Sequence, residues 1–201
     1  MTSSDQIKSN LNGLVLAGGK SSRMGSNKDQ LIWHEKEQKY YMADLIQPFC
    51  NEVFISCREE QMAKLDQKYA GLKDAFIGIG PTGGILTALN QYPKSAWLVV
   101  ACDLPLLDVS SISFLVKNRD SSKIATTFKS PFDGLPEPLI TIWEPSSYQL
   151  LLEYLNNKIT CPRKLLINSD CLILDPPNPE HLMNVNTPKD AEIARKLLSD
   201  L

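Results

Sequence analysis

The chain reads as a single α/β domain, a mainly parallel twisted sheet with helices on both faces. Short apolar runs alternate with amphipathic segments along nearly the whole length. The runs are continuous rather than alternating in polarity, as strands buried on both faces are. A length of 201 residues suits one domain with one sizeable core. Residues 1–10, MTSSDQIKSN, read as a flexible polar tail and residues 11–201 as the domain, with no internal repeat or linker.

The elements follow in order. Leu11–Ala17 is a buried first strand running into Gly18-Gly19. Tyr40–Phe49 has Tyr41, Leu45, Ile46 and Phe49 at helical spacing and Pro48 near its end, hence a helix. Glu52–Cys57 is a second strand, the charged amphipathic stretch Glu59–Tyr69 a helix, and Ala75–Ile79 a third strand. Gly80-Pro81 then leads into a helix over Gly84–Gln91. Ala96–Cys102 is the clearest buried strand, and Asp108 or Ser110 caps the helix after it. Lys123–Phe128 and Pro138–Trp143 are strands, and Pro145 opens a helix reaching about Leu155. Cys171–Leu174 is a short strand. Thr187, Pro188 and Asp190 form the capping pattern of a last helix.

Composition narrows the function. The 43% hydrophobic and 22% charged residues are ordinary for a globular protein. A net charge of -2 and a pI of about 5.7 argue against a broad nucleic-acid surface. Five cysteines, an odd count without CxxC spacing, together with a polar start, predict a reduced cytoplasmic chain. His34 and His181 stand apart, which argues against a zinc site. The longest apolar stretch, Trp97–Leu107, contains Asp103 and Pro105 and is too short for a bilayer, so no membrane partner is expected.

Ligands of parallel sheets sit beyond the carboxyl ends of the strands, and two loops there look chemical. The first is LAGGKSSRMGSNK, Leu16 to Lys28. Gly18, Gly19 and Gly25 let the backbone approach a ligand, while Arg23 and Lys28 bring fixed positive charge. Backbone N–H groups that cradle oxygens, with cations that offset developing charge, are what a triphosphate requires. The loop is not GxxxxGK[ST]. The bland alternative is a glycine turn with solvated basic residues. In the second loop, Asp103 closes the strongest strand; it either caps a turn before Pro105 or binds a hard cation. Cys102 beside it reads as a packed core thiol. Asn184 and Asn186 flank Val185, so an extended backbone puts both on one face. They either fix a loop or position a ligand.

The first loop resembles the LAGGxSxRMGxxK signature of nucleotidyltransferases with a Rossmann-like, glycosyltransferase-A-like fold. Within these the chain is most similar to the molybdenum cofactor guanylyltransferases. GPTGG at Gly80–Gly84, VVACDLPLL at Val99–Leu107 and NVNTPKD at Asn184–Asp190 agree in order and spacing along nearly the whole chain. The resemblance implies GTP as donor, molybdopterin or the molybdenum cofactor as acceptor, pyrophosphate as product, and proteins that deliver the product to molybdoenzymes as partners. It implies nucleotide contacts from Leu16, Ala17, Gly18, Gly19, Arg23, Lys28, Gly80, Pro81, Gly83 and Asp103. Asp103 would bind Mg²⁺, Arg23, Lys28 and Asp103 would carry catalysis, and Asn184 and Asn186 would help to position the phosphates.

The chain departs from the pattern at Asn27, where the family has Asp, and at Asp29-Gln30, where small or apolar residues are usual. In the acceptor half, Arg163 and Lys164 either contact an acceptor phosphate or form a solvated basic pair. A cytidylyltransferase or sugar-phosphate nucleotidyltransferase shares the glycine loop, but Gly19 and GPTGG favour the guanylyl type. A nucleotide-binding module without turnover would not need Arg23, Lys28 and Asp103 together.

Overall fold

The computed structural model describes residues 10–17 and 32–199. Within them seven strands form one sheet in the order β3-β2-β1-β4-β6-β5-β7. The strands are β1 (Leu11–Leu16), β2 (Val53–Cys57), β3 (Ala70–Lys73), β4 (Ala96–Ala101), β5 (Ala125–Lys129), β6 (Pro136–Trp143) and β7 (Leu172–Leu174). Only β6 runs against its neighbours, β4 and β5. The helices are α1 (Gln38–Ile46), α2 (Glu59–Met62), α3 (Pro81–Gln91), α4 (Val109–Lys117), α5 (Ser147–Asn156), α6 (Pro162–Ile167) and α7 (Pro188–Ser199).

Alternation along the central strands explains the layers. In β1, Leu11 and Val15 face one side with Met42 and Ile46 of α1 and Ile112 and Leu115 of α4. Leu14 and Leu16 face the other, with Ile85 and Leu89 of α3, Leu151 of α5 and Leu165 of α6. The central strands are therefore buried on both faces, and the apolar runs are continuous for that reason. Arg119, just beyond α4, is tied to Glu144, just beyond β6, by Nε–Oε1 and Nη2–Oε2 bonds of 2.6 and 2.8 Å. Both side chains are largely buried, so this paired charge fixes α4 to the sheet.

Four elements differ from expectation. The helix expected over Glu59–Tyr69 stops at Met62. From there the chain turns back to enter β3 at Ala70, and the Tyr69 hydroxyl is held by Asp44 at 3.1 Å. The third strand is Ala70–Lys73 rather than Ala75–Ile79. Leu72 pairs with Ser56 in β2. Residues 75–79 form a loop in which Phe76 and Ile79 pack against the core beside α3 while Ile77 is 80% exposed. Helix α3 also begins earlier than expected, because Pro81 suits a first helical position. Helix α6 was not foreseen at all.

The chain moves from β1 outward to β2 and β3, then returns to place β4 on the other side of β1. This reversal is the topological switch point, where open parallel sheets form a crevice at their carboxyl edge. No described helix is long and apolar enough to cross a membrane.

Candidate active site

Strands β1 and β4 are parallel and in register, with Leu16 beside Ala101. The first loop leaves β1 at Ala17 and the Asp103 loop leaves β4, so both begin at the switch point. Gly18, Gly19, Arg23 and Lys28 lie outside the described residues. Ala17 is buried at the start of that loop.

A cleft of about 590 Å³ opens on the β1–β2–β3 side of this edge. Its wall includes Leu16, Ser56, Arg58, Asp74, Gly80 and Gly84. Gly80 and Pro81, nucleotide contacts by the family resemblance, line this cleft; Gly83 does not line it but stands behind it. Gly80 caps α3 with φ of 64°, a conformation that suits glycine. A Cβ on Gly83 would meet the Phe76 carbonyl oxygen at 2.2 Å, so the glycine lets the cleft loop lie directly on α3.

Sequence reasoning missed Asp74, because the third strand was placed one step too late. Asp74 follows β3 as Asp103 follows β4, and that parallel was the available signal. Ser56 Oγ donates to Asp74 Oδ1 at 2.6 Å. Burial raises the Asp74 carboxyl above the usual carboxylate range, against the opposing pull of Ser56 and Arg58. A half-buried acceptor in an otherwise largely apolar cleft suits the N–H groups of a base or the hydroxyls of a ribose.

Asp103 is half-buried at the end of β4 and is not among the residues that line this cleft. Its carbonyl accepts from the Val185 N–H at 2.8 Å, which docks the NVNTPKD segment at the mouth. Val185 is buried, with Asn184 half-buried and Asn186 exposed. The segment is anchored on its far side by the expected capping box. The Thr187 N–H donates to Asp190 Oδ2 at 2.8 Å, and the Asp190 N–H to Thr187 Oγ1 at 3.2 Å. Asp103, Asn184 and Asn186 are thus brought together, and Gly80 and Pro81 form a separate wall. His34 and His181 serve structure: His34 Nε2 bonds the Pro105 carbonyl at 2.8 Å, and His181 Nδ1 bonds Asp108 at 2.9 Å.

A second cleft of about 460 Å³ shares the Gly78–Pro81 ridge with the first and is walled by Pro138, Leu139, Thr160, Cys161 and Arg163. Arg163 splits its guanidinium between Asp133 (Nη1–Oδ2 2.7 Å) and Glu137 (Nη2–Oε2 2.8 Å). Because β6 is antiparallel, its amino end, not its carboxyl end, reaches the mouth and delivers Glu137 there. Burial raises the Glu137 carboxyl above its usual range; Arg163 opposes this, and the nearby Asp103 charge adds to it. Lys164 is exposed.

A sheet with its crevice at a β1–β4 switch point, a glycine-rich sequence following β1 and a carboxylate closing β4 fits a nucleotidyltransferase of glycosyltransferase-A-like fold. Over residues 13–171 the chain matches the MobA-like NTP transferase domain, and it belongs to that family. It is 33% identical over 197 residues to a "probable molybdenum cofactor guanylyltransferase" of Carboxydothermus hydrogenoformans, covering 94% of this chain and 98% of that protein. It is 34% identical over 187 residues to a "molybdenum cofactor biosynthesis bifunctional protein" of Synechocystis sp., covering 92% of this chain. There it spans about half, 54%, of the relative's length. The crystal structure of molybdopterin-guanine dinucleotide biosynthesis protein A from Archaeoglobus fulgidus has the same fold, with a TM-score of 0.77 at 22% identity, covering 94% of this chain and all of that one. The chain is a nucleotidyltransferase enzyme.

Proposed function

We propose that the enzyme transfers GMP from GTP to molybdopterin, as its molybdenum cofactor, and releases pyrophosphate. The observation that carries this reading is the register of β1 and β4, which starts the glycine loop and the Asp103 loop side by side at the switch point. The relatives named for guanylyl transfer to the molybdenum cofactor support the choice of donor and acceptor.

The donor's base and ribose would occupy the 590 Å³ cleft against Gly80, Pro81 and Asp74. Its phosphates would reach the loop carrying Gly18, Gly19, Arg23 and Lys28. A phosphate oxygen of the acceptor attacks the α-phosphorus in line, the bond to the β-phosphate bridging oxygen breaks, and pyrophosphate leaves with that electron pair. Arg23, Lys28 and backbone N–H groups would hold the oxygens on which charge gathers; no covalent enzyme intermediate is needed. Asn184 and Asn186 would orient the phosphates from the docked segment.

The donor set fits magnesium. Among the described residues no three His, Cys, Asp or Glu side chains form a cage. Mg²⁺ keeps most of its waters and takes one or two carboxylates plus substrate phosphates, and Asp103 at the mouth would supply such a carboxylate. When bound, the ion neutralises crowded phosphate oxygens.

Base preference tests the donor. Guanine offers a carbonyl acceptor and neighbouring N–H donors, and a site that pairs them rejects a base that leaves them unpaired. GTP is expected to bind more tightly than CTP or ATP in the presence of Mg²⁺, and Gly19→Ala to erode that preference. Equal affinity for GTP and CTP would contradict the guanylyl reading.

A further inference from the structure

Arg163 has two acidic partners of opposite character. Glu137 is buried, its side chain only 4% exposed, whereas Asp133 is 43% exposed. Glu137 sits in a bulge: from Thr127 to Lys129 in β5, the partner residues in β6 run from Thr141 back to Pro136. A bulge of this size turns a side chain out of the ladder. The Glu137 carbonyl that the bulge frees is bonded by the buried hydroxyls of Thr127 and Thr141, at 2.7 and 2.6 Å. The Glu137 carboxylate is thereby built into the fold.

Asp133 belongs to the tip of the β5–β6 hairpin, where Gly134 adopts φ of 71°. The Leu135 N–H donates to Asp133 Oδ1 at 3.1 Å, so the turn holds one oxygen and leaves Oδ2 for Arg163. Losing Arg163 would not unmake the turn. The guanidinium is therefore fixed on its buried side and covered by an exchangeable carboxylate on its open side, beside the second cleft.

We propose that Asp133 is a built-in stand-in for an anionic group of the acceptor, and that Glu137 is the positioning residue that keeps Arg163 in place while the two anions exchange. The second cleft then takes a phosphomonoester, which must displace Asp133 to pair with Arg163. A dianionic phosphate meets the forked guanidinium better than the single oxygen that Asp133 offers. This rests on the guanylyl-transfer reading only for the identity of the acceptor; the anion exchange does not depend on it.

Two measurements test it. In steady-state turnover with GTP and molybdopterin, Asp133→Asn should lower the acceptor KM by about two- to fivefold relative to the KM for GTP, the worth of an exposed ion pair. Glu137→Gln should raise the acceptor KM, and Glu137→Asp should recover part of the loss. Inorganic phosphate, titrated into the whole protein and followed by calorimetry, is the second readout and needs no acceptor. Asp133→Asn should bind it more tightly than the wild type, and adding Arg163→Gln should remove that gain. An unchanged or weaker phosphate affinity in Asp133→Asn overturns the proposal. A gain in phosphate affinity without turnover on molybdopterin would leave the exchange standing and refute the assigned acceptor.

Discussion

In the proposed reaction Asp103, Arg23 and Lys28 would carry the chemistry by different means, and single substitutions separate them. Asp103→Asn is nearly isosteric and keeps the Val185 N–H bond, which is made to the main-chain carbonyl. The fold should survive while turnover falls by orders of magnitude; near-wild-type rates at saturating Mg²⁺ would remove Asp103 from the site. Arg23→Ala and Lys28→Ala should each lower kcat/KM by about 2–4 kcal/mol in transition-state stabilisation. Lys117→Ala, on the exposed end of α4, is the control and should change little. Equal behaviour of all three lysine and arginine variants would make the loop merely structural. Asp103 was legible because a carboxylate closes the strongest apolar run. Asp74 was not, because a four-residue strand containing Gly71 gives too weak a pattern to fix its end.

At the scale of elements, α3 borders the first cleft through its first turn, and α4 is fixed at its start by the Asp108 cap. Gly83→Ala would force the Phe76 carbonyl away from α3 and shift the loop that lines the first cleft. The expected result is a raised KM for the nucleotide together with a lower Tm; a KM that stays constant while Tm falls would confine Gly83 to packing. Asp108 caps α4 through the Ser111 N–H at 2.9 Å and also bonds His181. Burial works to raise its carboxyl, but hydrogen bonds from Ser110 and Ser111 and the His181 charge bring it to about 2 from 3.8. A carboxyl held below its unfolded value stabilises the fold above about pH 4, and that contribution is lost as pH falls towards 2. Because the side chain is 39% exposed, screening keeps the effect modest, on the order of 1 kcal/mol. Acid titration of Tm should show Asp108→Asn closing on the wild type near pH 2 and falling below it at pH 6. A constant difference across that range would contradict this. Strong helices and central strands were readable because their periodicity is long. The truncated α2 and the unforeseen α6, four and six residues long, offer too few turns for any period to show.

Across the whole molecule, the layout places two clefts on either side of one ridge, Gly78–Pro81, at the edge where β1 and β4 end. The parallel half of the sheet supplies the first cleft, and the reversed strand β6 supplies a wall of the second. The sequence could be read as alternating strands and helices, but the direction of β6 depends on contacts between distant segments, and with it the arrival of Glu137 beside Arg163. If the first cleft takes the donor and the second the acceptor, as proposed, the Gly78–Pro81 ridge they share sets the two substrates side by side, and neither should react alone. The most direct measurement is pyrophosphate release from GTP, CTP and ATP with Mg²⁺, each with and without molybdopterin carrying the molybdenum cofactor. The account predicts release that requires the acceptor and is fastest with GTP. Release from CTP at an equal or greater rate, or no acceptor-dependent release from any of the three, would contradict it.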